Sequence, residues 1–161
     1  MRRGFGSSSM ETLAFGDFNN ARRFAREIEL VGAGGIYVVD KRLPKMNSFR
    51  SHTHLLANPM EVFKRIRAIE HHVREADFVV VARTEAMVCG FELEVALERC
   101  NCYRLADADA ILVHLKRRDA DEVKAFTQAW RQPCPTIIVP TTYASTQISS
   151  SDGRLPDRPE G

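Results

Sequence analysis

Phe78-Val79-Val80-Val81-Ala82-Arg83-Thr84-Glu85 is the stretch that decides the fold. Its first five residues are apolar without interruption, so the strand they form has no polar side to turn to water. A strand covered on both faces belongs in a parallel sheet with helices packed against it. The run breaks abruptly at Arg83-Thr84-Glu85, and that break supplies a polar strand end.

The same grammar repeats on either side. Upstream, Asn58-Pro59 reads as a helix start, with Asn as cap and Pro at the first helical position. The helix runs to about Arg74 with Val62, Ile66, Ile69 and Val73 inward. Before it, residues 36–39 (Ile-Tyr-Val-Val) form a second apolar strand, ending in Asp40-Lys41 and a loop with Lys45, Asn47 and Ser48. Thr12-Leu13-Ala14-Phe15 is a candidate first strand. It leads to a helix capped by Asn19 or Asn20, with Ala21, Phe24, Ile28 and Val31 as its apolar face and Gly32, Gly34 and Gly35 as its stop. Downstream, a helix from about Glu92 to Arg104 buries Leu93, Ala96, Leu97 and Cys100. Ala110-Ile111-Leu112-Val113 is another buried strand, ending in His114. Asp119-Ala-Asp-Glu122 has the pattern of a capping box and opens a helix with Val123, Phe126 and Trp130 inward. Thr136-Ile137-Ile138-Val139 is the last strand, ending in Pro140-Thr141. Strand and helix alternate throughout, which makes this an α/β chain of four to five parallel strands with covering helices.

The 161 residues suffice for one domain with a sizeable core; 44% are hydrophobic and 27% charged. With 23 basic against 21 acidic residues, a charge of +2 favours neither nucleic acid nor a membrane surface as partner. Cys89, Cys100, Cys102 and Cys134 fit no metal-binding pair and no secreted disulfide framework, so they read as reduced thiols. Residues 1–9 and 144–161 are rich in small and polar residues and are expected to be disordered. With no signal-peptide pattern and no stretch approaching a membrane span, a cytoplasmic chain is the default expectation.

In a parallel sheet the strand ends Asp40-Lys41, Arg83, His114 and Thr141 share one side, where such folds place their chemistry. A single polar strand end is ordinarily just solvated, but four converging on one side make a candidate site for a small anion. Arg83 offers a planar fork for carboxylate or phosphate. Lys41 and Lys45 are point charges, and His114 can hydrogen-bond a phosphoryl oxygen or carry a proton. Neither a Gly-x-x-x-x-Gly-Lys-Ser/Thr loop nor a Gly-x-Gly-x-x-Gly is present, so no nucleotide site is supported. His52-Thr-His54 lacks a third metal ligand, and His71-His72 reads as helix surface.

Several of these motifs resemble the phosphoenolpyruvate mutase branch of the isocitrate lyase superfamily. That branch carries Glu-Asp-Lys, five variable residues and Asn-Ser, matched here by Asp40-Lys41 and Asn47-Ser48. Gly16-Asp-Phe18-Asn19-Asn20-Ala-Arg22-Arg23, Val81-Ala82-Arg83-Thr84-Glu85-Ala86, Ala108-Asp109-Ala110-Ile111-Leu112-Val113-His114 and Ile138-Val139-Pro140-Thr141 match as well. The resemblance covers roughly residues 10–143 and implies part of a (β/α) TIM-type barrel. The implied reaction interconverts phosphoenolpyruvate and phosphonopyruvate, forming a carbon–phosphorus bond. Lys45, Asn47 and Ser48 take catalytic roles as the loop that closes over the substrate, and His114 contacts the phosphoryl group. Arg83 binds substrate, in a set that Asp40, Lys41 and Thr141 join from their strand ends. Asn47-Ser48 resembles the mutase more than the lyases, with phosphonopyruvate hydrolase as the near alternative. A magnesium ion serves the family reaction, and a homo-oligomer is compatible with it.

The chain departs from the pattern where the family holds that ion. The family acids are replaced by Met10, Thr12 and Val39, leaving Asp40 as the one acid at that spot. A complete barrel has eight strands and ~250 residues, against the four or five strands read here. These departures define three expectations: a shortened mutase, inactive alone; a family member that keeps anion or partner binding without catalysis; and a subunit that completes a barrel with another chain.

Overall fold

In the computed structural model, residues 9–12, 17–41, 56–114 and 121–137 are described, the first of these segments by its backbone alone. The apolar run that opened the reading forms β3 (Val79–Thr84), flanked by β2 (Gly35–Val39) and β4 (Ala110–Val113). β1 (Ser9–Thr12) and β5 (Thr136–Ile137) lie at the two edges. The sheet order is β1-β2-β3-β4-β5 and every pairing is parallel. A doubly wound sheet reverses its strand order at a switch point. This one never does, and strand after strand follows in sequence as in a barrel wall. The expected partial barrel of parallel strands is the observed architecture.

Four helices make the crossovers: α1 (Phe18–Leu30), α2 (Pro59–Glu70), α3 (Leu93–Leu105) and α4 (Asp121–Ala129). Alternation along each strand separates two layers. Ile36, Val38, Val80, Ala82, Ile111 and Val113 face the helices and pack with Ala25, Ile28, Val62, Ile66, Ile69, Cys100, Tyr103 and Phe126. Val81, Ala110 and Leu112 occupy the opposite face with Tyr37, Val79 and Ile137. Each fully buried Val or Ile contributes roughly 1.5–3 kcal/mol by leaving water, so the helix-side layer carries most of the stability. At Gly35 an added Cβ would stand 2.5 Å from the Val79 carbonyl oxygen, so the close β2–β3 approach requires glycine there.

Several boundaries differ from expectation, each for a local reason. The cap of α1 is Asp17, not Asn19 or Asn20. Its backbone is extended, and its carboxylate accepts from the amides of Asn19 and Asn20 at 2.9 and 3.1 Å. Val31 is 80% exposed because it is the C-cap, and Ala21, Ala25, Ile28 and Glu29 form the buried face. α2 starts at Pro59 with Asn58 as its cap, but stops at Glu70 rather than Arg74. The amides of Arg74 and Glu75 are instead captured by Oε1 of the buried Glu29, at 2.6 Å each. Among the described residues the first strand is Ser9–Thr12; residues 13–15 of the expected 12–15 strand lie outside them. So do Asp119 in the expected capping box, Ile138-Val139 and most of both segments expected to be disordered.

Phe126 stacks on Trp130, and Trp130 Nε1 donates to the Cys134 carbonyl at 2.9 Å, closing the α4–β5 turn. All four cysteines are free thiols. His71 and His72 are exposed just past α2. No helix among the described residues is long and apolar enough to cross a membrane.

Candidate anion-binding site

β3 and β4 deliver the two central groups. Arg83 is the fifth residue of β3, and His114 follows the last residue of β4; its amide extends the ladder by donating to the Thr84 carbonyl at 3.2 Å. In that register Arg83 Nη2 and His114 Nδ1 lie 3.1 Å apart. Glu85 completes the cluster. Its Oε1 accepts from Arg83 Nε at 2.7 Å, and His114 Nδ1 is 3.1 and 3.2 Å from its two oxygens. The side chain of Glu85 is nearly enclosed, whereas Arg83 and His114 are 24% and 35% exposed. Two basic groups therefore reach solvent over one buried carboxylate, an arrangement suited to receiving an anion.

Asp40 is turned the other way. It falls on the helix-facing side of β2, in phase with Ile36 and Val38, and is completely buried. Oδ1 accepts from the Glu85 amide at 2.8 Å. Oδ2 accepts from Thr84 Oγ1, Tyr103 Oη and Arg99 Nη1 at 2.9, 2.8 and 3.1 Å. Wholly enclosed and held by four internal donors, this carboxylate does not reach the surface where a ligand would arrive. The expected substrate contact at Asp40 is thus corrected to a structural role. Burial, followed by the charge of Asp40, pushes the Tyr103 phenol and the Cys100 thiol upward, so both stay protonated.

Lys41 is half-buried and forms an isolated antiparallel bridge with Leu56; Arg99 holds the neighbouring Ala57 carbonyl at 3.1 and 3.0 Å. Lys45, Asn47, Ser48, Thr141 and the His52/His54 pair lie outside the described residues.

A family model described as phosphoenolpyruvate phosphomutase matches residues 12–152. The chain belongs to the phosphoenolpyruvate phosphomutase family. It is 42% identical over 134 residues to phosphoenolpyruvate phosphomutase of Streptomyces hygroscopicus, covering 83% of this chain and 43% of that protein. The crystal structure of phosphoenolpyruvate phosphomutase from Streptomyces platensis subsp. rosaceus superposes with a TM-score of 0.78 at 38% identity, covering 86% of this chain and 48% of that one. A phosphonopyruvate hydrolase solved with oxalate and Mg++ gives 0.75 at 33%, with coverages of 84% and 46%. The chain spans less than half the length of these relatives.

The described residues do not fit the family's cation. Val39, at the position where the resemblance expects an acid, is buried and carries only hydrocarbon. The nearby carboxylates of Asp40 and Glu85 are engaged as described. Met10 and Thr12, in register with Ile36 and Val38, bring no carboxylate of their own. Among the described residues no three His, Cys, Asp or Glu side chains converge to hold a metal ion.

Three residues of the site escaped the sequence reading. Glu85 could have been found, since it lies two residues beyond Arg83 and so on the same side of an extended chain. Tyr103 continues the buried α3 face of Ala96 and Cys100. Arg99 has no such signal, because its partner Asp40 is 59 residues away.

Proposed function

We propose that this chain binds phosphoenolpyruvate or phosphonopyruvate at the ends of β3 and β4, as a phosphoenolpyruvate mutase-type protein with little or no turnover of its own. The observation that carries the reading is the Arg83–Glu85–His114 cluster at the carboxyl ends of parallel strands, within a chain of this family. Arg83 offers its guanidinium to a carboxylate or phosphoryl group, and His114 offers a ring nitrogen beside it. Lys45, Asn47, Ser48 and Thr141 join them by resemblance, the first three from the loop over the substrate. Phosphoryl transfer depends on positioning, on stabilising charge and on excluding water that would divert the group to hydrolysis. The Arg83–His114 juxtaposition at the ends of β3 and β4 supports the first requirement. The second is weakened, because Val39, Met10 and Thr12 do not supply the acidic shell that the resemblance assigns to the family's magnesium ion. We therefore expect binding to survive and the carbon–phosphorus step to fail.

The test incubates the purified chain with phosphonopyruvate and magnesium and follows products by phosphorus NMR. The expected result is bound phosphonopyruvate with no conversion above background. Appearance of phosphoenolpyruvate would show a working mutase and overturn the second half of the proposal. Release of inorganic phosphate and pyruvate would instead favour the hydrolase reading, which the similar fold of the solved phosphonopyruvate hydrolase keeps in view. Failure to bind either compound would overturn the reading as a whole.

A further inference from the structure

The geometry points to Glu85 as the residue that positions this site: its carboxylate fixes His114 as the Nδ1–H tautomer, aims Nε2 as the ring atom left for a ligand, and holds the Arg83 guanidinium by its Nε edge. Glu85 is itself held from behind, its amide donating 2.8 Å to Asp40 Oδ1, with Asp40 fixed by Arg99 and Tyr103. A chain of contacts thus runs from α3 through the end of β2 to the tip of β3.

The tautomer follows from the distances. Both Glu85 oxygens lie within 3.1 and 3.2 Å of His114 Nδ1. A bare nitrogen lone pair facing two carboxylate oxygens would be repelled, whereas a proton on Nδ1 makes that nitrogen a donor shared between them. Arg83 Nη2 also stands 3.1 Å from Nδ1, but it can only donate. With Nδ1 protonated toward the carboxylate, Nη2 is a neighbour of that nitrogen rather than a donor to it. Nε2 makes no hydrogen bond among the described residues. An anionic oxygen arriving there requires a proton on Nε2, and Glu85 is then the counterion of the imidazolium on its other side. Glu85 touches no reacting atom in this scheme. It acts through His114 and Arg83.

Long-range proton–nitrogen correlation NMR on the labelled full chain tests this, at about pH 8.5, above the ordinary imidazole range. The wild type is expected to show Nδ1–H at His114. Glu85→Ala is expected to revert to the Nε2–H form that free imidazole side chains prefer, and to weaken phosphoenolpyruvate binding by about tenfold or more. Glu85→Gln keeps the volume and serves if the alanine variant does not fold. Its amide nitrogen replaces one of the two oxygens facing Nδ1 and can donate to a bare Nδ1, so it is expected to show a mixed tautomer population. An Nε2–H form in the wild type, or an unchanged tautomer in a folded Glu85 variant, overturns the assignment. Which anion meets His114 depends on the phosphoenolpyruvate reading above, but the tautomer does not. A wild type that shows Nδ1–H yet ignores phosphoenolpyruvate would overturn only the reading of the ligand.

Discussion

Arg99 Nη1 stands 3.1 Å from Asp40 Oδ2, with the acid wholly enclosed and the arginine side chain 11% exposed. Removing one partner of such a pair leaves a buried charge without compensation, which typically costs about 3–5 kcal/mol. Arg99→Met is therefore expected to lower unfolding stability by that amount in urea titrations. Tyr103→Phe, which removes one neutral donor to the same carboxylate, is expected to cost only about 1–3 kcal/mol. A loss below about 1 kcal/mol for Arg99→Met would show that water or another cation already serves Asp40.

Glycine at position 35 sets the spacing between two central strands. A methyl group there meets the Val79 carbonyl oxygen at 2.5 Å, and that atom belongs to backbone that cannot swing aside. Gly35→Ala must push β2 away from β3, an overpacking cost of roughly 1–3 kcal/mol. Thermal unfolding checks this, and a melting temperature equal to the wild type's would contradict it.

Much of this arrangement is legible in the residues. The runs at 36–39, 78–82 and 110–113 are apolar on both faces and so announce parallel strands, and their polar ends locate Arg83 and His114 together. Asn58-Pro59 marks a helix start to the residue. The place of Asp40 after a strand points toward the site, while its phase points away from it. Counting by twos from Ile36 through Val38 puts it on the helix side, where its four donors wait. The partner Arg99 is beyond such counting, since a residue on a helix does not announce which distant acid it will meet. The same limit hid Glu29, whose helical phase marks it as buried but says nothing of the Arg74 and Glu75 amides it captures.

Glu70 couples stability to pH. Burial first, then the charges of Asp109 and Asp107, raise its carboxyl from 4.5 to about 7, with Arg67 opposing, and its Oε1 is buried without a hydrogen-bond partner among the described residues. A raised acid means that the folded state holds its proton where the unfolded chain has lost it. Stability from this group is intact below about 4.5 and declines as pH rises to about 7. Glu70→Gln removes the titration. Its melting temperature is expected to match the wild type near pH 4.5 and exceed it at pH 8, with the gap opening between. A gap independent of pH would assign the effect to packing.

Asp107 is the one non-glycine residue with positive φ among the described residues, at 69°. A left-handed conformation costs an ordinary residue roughly 1–2 kcal/mol, less for Asp, and glycine nothing comparable. Against this, Asp107 pairs with Arg67, but both side chains are substantially exposed, and such pairs are worth about 0–1 kcal/mol. Asp107→Gly also removes a negative charge that disfavours ionised Glu70. The balance predicts a gain of about 0.5 kcal/mol at neutral pH, read as a small rise in melting temperature. A fall would show that the Arg67 pair outweighs backbone strain.

Magnesium discriminates between a retained and a lost cation shell without any appeal to turnover. A ligand at one hundred times its dissociation constant stabilises the fold by about 2.7 kcal/mol, several degrees in melting temperature for a domain of this size. With Val39 buried as hydrocarbon, and Asp40 and Glu85 committed to Arg99, Arg83 and His114, no such gain is expected at millimolar magnesium. The measurement is a thermal melt with and without the ion, at constant ionic strength so that screening of surface charges does not intrude. Phosphoenolpyruvate added alone is expected to raise the melting temperature by itself, through Arg83 and His114, and by the same amount when magnesium is also present. A rise that requires both together would mean that the ion enters with the ligand through other oxygens, and the expectation that this chain takes up no cation would have to be abandoned.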